Sequence, residues 1–151
     1  MRTAVQRQQR GAGGGALQLL HASVEEAIAA GERPGTEEVL VRLLRTIDEL
    51  DARERIARVA VHVWGEALVN PAVGSAFTAA IARLQTAMER LVATAQAAGQ
   101  LDRDLDPVYV ARVLYSILPG FLLQRALDPA LDGAGYQRAT RALIAGRLRL
   151  S

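Results

Sequence analysis

Between Asp106 and Asp128 the chain carries the run PVYVARVLYSILPGFLLQRAL, too apolar to lie on a surface with its sides open to water. Both ends are marked. Asp106-Pro107 places a capping oxygen before a proline whose missing N–H is no loss at a first helical position, and Asp128-Pro129 closes the run. Asn70-Pro71 uses the same starting device, and Gly99 provides a stop by accepting positive φ just past a last turn. This pattern predicts a helix over 71–98 and another over 107–127, the second covered on more than one side. Pro119-Gly120 sits in the middle of that second helix. The proline removes the N–H that would bond the Tyr115 carbonyl, so the helix either bends around its neighbours or opens space beside a cavity.

The remaining segments read the same way. Residues 1–15 form a basic and then glycine-rich segment, with Arg2, Arg7 and Arg10 followed by Gly11, Gly13, Gly14 and Gly15, expected to fray or break a helix. Helical spacing is clear from Ala16, through Leu17, Leu20, Val24, Ala27 and Ile28, and Gly31 with Pro34 stops it. Thr36 is expected to cap the next helix, whose buried stripe is Leu40, Leu43, Leu44, Ile47 and Leu50. Asp51 and Glu54 resemble a capping box opening a third helix near 52–69, with Arg55, Arg58, His62 and Glu66 as its polar stripe. Val73, Phe77, Ile81, Leu84, Met88, Leu91 and Ala95 make the inner face of 71–98. Asp132 opens a sixth helix near 133–149 carrying Tyr136, Ala139, Leu143, Ile144 and Leu148. The expected fold is all-α, a six-helix antiparallel bundle spanning 16–151.

Composition narrows the chemistry. The 151 residues suffice for one domain with a real core, and aromatics are only 4%, so the core is mainly aliphatic. All 18 basic residues are arginine, against 16 acids, and the net charge of +2 is not concentrated in a basic patch. There is no cysteine and there are two histidines, which leaves no thiolate chemistry and too few ligands for a histidine-rich metal cage. No catalytic constellation is visible, and no cofactor is expected. The longest uncharged apolar run, 113–123, is too short to span a bilayer, and the N-terminus lacks the apolar core of a signal peptide. The expected setting is cytoplasmic.

Several features together resemble the C-terminal regulatory domain of the tetracycline-repressor (TetR) family. They are Val63-Trp64-Gly65-Glu66-Ala67-Leu68, the Asn70-Pro71 cap, Gln96-Ala97-Ala98-Gly99-Gln100-Leu101, Asp106-Pro107, and Leu118-Pro119-Gly120-Phe121-Leu122-Leu123-Gln124. The resemblance covers about Ala16 to Leu148 and implies an effector-binding and dimerising domain. The family's DNA-reading helix-turn-helix has no counterpart here; Met1-Arg2-Thr3-Ala4-Val5 looks like the point just after it. DNA binding is therefore not expected from this chain alone. The helices 36–50 and 52–69 are no substitute, since Val59, Val61, Val63 and Trp64 do not suit base edges.

The resemblance implies an effector cavity among helices 52–69, 71–98 and 107–127. Its expected lining is Val59, His62, Val63 and Glu66, then Phe77, Ile81, Leu84 and Met88, then Tyr115 and Leu118. Each has a plainer alternative: His62 on a solvated stripe, and Trp64, Phe77 and Met88 as ordinary core. The effector is a small apolar or mixed-polarity molecule. The resemblance also implies a homodimer through the last two helices. Gly120, Phe121, Leu123, Gln124 and Leu127 are expected there, with Tyr136, Thr140, Leu143, Ile144 and Arg147. Gln124 and Arg125 either hydrogen-bond across the twofold axis or face water. The alternative function is a ligand-free helical interaction protein that homodimerises or pairs with an intact regulator.

Overall fold

A computed structural model describes residues 2–30 and 35–147, with side chains for 15–30 and 35–146. Six helices follow in order, with no strand among the described residues: α1 (Arg2–Ala29), α2 (Thr36–Glu54), α3 (Ile56–Val69), α4 (Pro71–Ala97), α5 (Pro107–Leu127) and α6 (Gly133–Arg147). The all-α expectation holds. Gly31, Pro34 and Leu148, and the Arg147 side chain, lie outside the described residues.

The core forms around α2. Its predicted stripe, Leu40, Leu43, Leu44 and Ile47, is buried, with Leu50 partly so. α2 packs on α6 and also touches α1, α3, α4 and α5. Val24 of α1, Leu84, Met88 and Val92 of α4, Leu118 and Phe121 of α5, and Ile144 of α6 complete the cluster. Burial of each such side chain contributes about 1.5–3 kcal/mol against the entropy of ordering the chain.

The caps show how sequence places these helices. Asn70 accepts from the Ala72 amide at 3.1 Å and donates to Glu66 Oε1 at 2.9 Å, which secures the corner where α4 leaves α3 at 118°. Asp106 accepts from the Val108 amide at 2.9 Å, and Gly99 takes the expected positive φ of 72°. Between α4 and α5 the buried Gln96 Nε2 donates to the carbonyls of Asp102 and Leu105, each at 2.7 Å. Arg103 donates to the carbonyls of Gln96 and Ala97, satisfying acceptors that the end of α4 leaves open.

Three local expectations are corrected. α1 runs unbroken through Gly11–Gly15; glycine weakens a helix but, unlike proline, keeps its N–H and clashes with nothing. Gly35, not Thr36, is the N-cap of α2, because the Thr36 side chain is turned inward and buried. α2 continues past Asp51 to Glu54, and the joint falls at Arg55, in the left-handed conformation at φ 52°, ψ 44°. Asp51 still caps α3, but by accepting from the Ala57 amide at 2.9 Å across that joint. On α6, Ala139 and Leu143 face outward, while Thr140 and Ile144 are buried. The cause is the approach to α2: a Cβ at Gly133 would overlap the Asp48 carboxylate, so α6 meets α2 backbone-first and presents its 133–140–144 side.

α5 explains why its sequence looks apolar all round. Ala111, Leu114, Leu118, Phe121 and Leu122 are buried on one side. Tyr109, Val113, Ser116, Gly120, Leu123 and Leu127 recur at alternating spacings of four and three on the other. By length and composition the 21-residue helix, with an 18-residue window of mean hydropathy 1.2, would suffice to cross a bilayer, which the shorter run 113–123 would not. Here α5 packs against α2, α3 and α4 instead.

Candidate functional site

Where α1, α3, α4 and α5 converge over α2, the core leaves a cavity of about 60 Å³. Leu20, Ile47, Ile56, Leu84, Leu118 and Leu122 form its buried floor. Ala16, Leu17, Val59, Ala60, Val63, Trp64, Phe77, Tyr115 and Pro119 are half-buried around it, so the space is not sealed. Helix periodicity assembles this lining: Val59 with Val63, and Ala60 with Trp64, are spaced i, i+4 on one side of α3. No charged side chain belongs to the lining among the described residues. Among the described lining residues, Tyr115 and Trp64 are the ones whose side chains carry a polar atom. Burial raises the Tyr115 pKa above its ordinary value, keeping the phenol neutral.

Of the predicted lining, Val59, Val63, Phe77, Leu84, Tyr115 and Leu118 meet at this cavity. His62 and Glu66 do not. Both are exposed on the neighbouring stripe of α3, and Glu66 accepts from Asn70 at the α3–α4 corner. Ile81 lies about 60° around α4 from Leu84 and is not in the lining. Met88 is fully buried one turn beyond Leu84, in the solid core. Trp64 and Pro119, which the sequence offered as a pocket aromatic and a kink beside a cavity, are in the lining; sequence reasoning missed the α1 contribution of Ala16, Leu17 and Leu20, the floor residues Ile47, Ile56 and Leu122, and Ala60. Their periodicity was visible, but not which helix α1 would face.

A second, polar cleft of about 250 Å³ lies at the α2–α3 joint, lined by Asp51, Arg55, Arg58 and Arg125 among others. Arg125 is already committed there. Its guanidinium pairs with Asp48, its Nε lies 3.7 Å from Asp51, and it stacks 5.4 Å from the Phe121 ring centroid. Arg125 therefore neither faces water nor points away from the protomer, correcting the expectation for that residue.

The predicted interface residues divide. Leu127 is 79% exposed, Leu143 49% and Leu123 44%, and Gln124 is also exposed. Gly120 and Tyr136 are half-buried. Phe121, Thr140 and Ile144 are turned inward: Phe121 packs on the Tyr136 ring at 4.9 Å, and Thr140 donates to the Tyr136 carbonyl at 2.9 Å. Tyr109, 69% exposed, and Val113, 67%, were missed, although their i, i+4 spacing continues the stripe of Leu123 and Leu127.

A family model described as the C-terminal domain of BetI-type transcriptional repressors, of the TetR type, matches residues 34–149. No curated protein and no solved structure matches the chain.

Proposed function

Because the chain belongs to the family of BetI-type transcriptional repressor C-terminal domains, we propose that it is the effector-binding and dimerising part of a TetR-like regulator acting in the cytoplasm. One observation carries this reading: α5 serves two surfaces at once. Tyr115, Leu118, Pro119 and Leu122 line the cavity, while Tyr109, Val113, Leu123 and Leu127 offer an exposed apolar stripe on the same helix. A second copy of the chain seated on this stripe removes that surface from water.

The mechanism follows from size. A cavity of about 60 Å³ is well below the roughly 300–1,000 Å³ usual for ligand pockets. A ring-sized effector must therefore push α5 or its neighbours aside. The occupied and empty states then differ in packing, and an effector shifts their populations by its difference in affinity for the two. Movement of α5 is transmitted to the dimer interface. In a regulator that also carries a helix-turn-helix, this changes the separation of the paired DNA readers. This chain is not itself proposed to read DNA, since Val59, Ala60, Val63 and Trp64 of α3 line the cavity.

The small cavity also favours a second reading, a ligand-free protein that homodimerises or pairs with an intact regulator. Sedimentation of the wild type, Leu127→Glu and Gly120→Leu tests dimerisation, which both readings share. A dimer is expected for the wild type and a monomer for Leu127→Glu. Gly120→Leu should weaken the dimer without unfolding the protomer, because a Cβ there meets only Tyr136 Oη, at 3.8 Å. A monomeric wild type would sink the interface; an unchanged Gly120→Leu dimer would remove that glycine from it.

A further inference from the structure

We infer that the cavity selects an uncharged ligand, a small hydrocarbon body with at most one hydroxyl-type group. The inference rests on the effector reading and narrows it from apolar or mixed-polarity molecules to neutral ones. An ion placed among Leu20, Ile47, Leu84, Leu118 and Leu122 loses its water and finds no counter-charge in the lining among the described residues. Nearby charges are directed elsewhere. Arg125, toward the C-terminal end of α5, is held by Asp48 and Asp51 and is not in the lining, and Arg58, His62 and Glu66 occupy the exposed stripe of α3.

The aromatic residues do not reverse this. Trp64, Phe77 and Tyr115 come from three different helices and no carboxylate backs them; the ring–ring contact found among the described residues is Phe121 with Tyr136. A quaternary ammonium would have ring quadrupoles alone to replace its hydration. A single hydroxyl is different, because it needs only a neutral partner, and Tyr115 of the lining carries two. One is the Tyr115 phenol. The other is the Tyr115 carbonyl, whose usual i+4 donor is abolished by Pro119.

Trp64 is the sole tryptophan of the chain and lines the cavity, so its emission reports occupancy directly. The test titrates the intact chain with toluene, benzyl alcohol, benzylammonium, benzoate and tetramethylammonium, following Trp64 emission and thermal midpoint. Toluene and benzyl alcohol should give saturable changes and raise the midpoint, with each ion at least about tenfold weaker. Ala60→Phe should fill the space and abolish the neutral response while sedimentation stays that of the wild type. Should that variant not fold, Phe77→Leu enlarges the same space and should bind the neutral probes more tightly. Equal or tighter binding of any ion overturns the neutral-ligand inference and leaves the effector reading standing. Binding by no probe of either class overturns both.

Discussion

At the scale of single residues, two positions hold conformations or protonation states that cost stability under defined conditions. Arg55 sits in the left-handed region, at φ 52°, where a Cβ is crowded. Arg55→Gly should raise stability by about 0.5 kcal/mol, the relief of that strain less the added freedom of the unfolded chain, measured as a shift in urea midpoint. An unchanged or lower midpoint would show that the arginine side chain contributes more than its backbone loses. The second position is Tyr115, whose pKa burial raises, as it does for Tyr136, where a hydrogen bond with Gln124 partly offsets it. A raised folded pKa gives stability that is complete below the ordinary value of 10.0 and is lost as pH climbs through the raised value. The chain has no lysine and no cysteine, and arginine stays protonated, so tyrosines dominate this alkaline window. Stability should fall above about pH 10, and Tyr115→Phe should flatten part of the fall.

Among the elements, the link between α4 and α5 decides where the apolar helix begins, and one side chain organises it. Gln96 donates from Nε2 to the carbonyls of both Asp102 and Leu105. Gln96→Leu keeps the volume but leaves two acceptors short, and should cost about 2 kcal/mol. Hydrogen exchange of amides near 100–106 should quicken in that variant; unaltered protection would mean Arg103 and the Asp106 cap suffice. α5 itself shows how an element can mislead a pattern reader. Its buried stripe and its exposed stripe are both apolar at three-and-four spacing, so neither stands out from the sequence. Phe121 looked as suited to an interface as Leu123, yet it is buried against Tyr136 within one protomer.

For the whole molecule, the exposed apolar stripe of α5 makes folding and the proposed assembly testable together. If the stripe of Tyr109, Val113, Leu123 and Leu127 is covered by a second copy, the thermal midpoint must rise with protein concentration, since association stabilises the folded chain by mass action. Val113→Glu should remove that concentration dependence while leaving far-ultraviolet helicity intact. A wild-type midpoint independent of concentration would argue that the two copies do not associate. The cavity lies behind the same helix, so ligands that stabilise the domain should also change the strength of its self-association.

Much of this protein could be read from its residues in order. Asn70-Pro71, Asp106-Pro107 and Gly99 declare their helix ends through local chemistry, and the inner stripes of α2 and α4 declare themselves through periodicity. These features depend on near neighbours in the chain. What lay beyond local reading was every choice between equivalent faces. That His62 faces water while Ala60 meets the cavity, that Arg125 turns to Asp48 and Asp51, and that α1 supplies Leu17 and Leu20 depend on which helices meet. Only tertiary packing decides this, because a face gains its energy from the surface it is pressed against, and that surface lies tens of residues away.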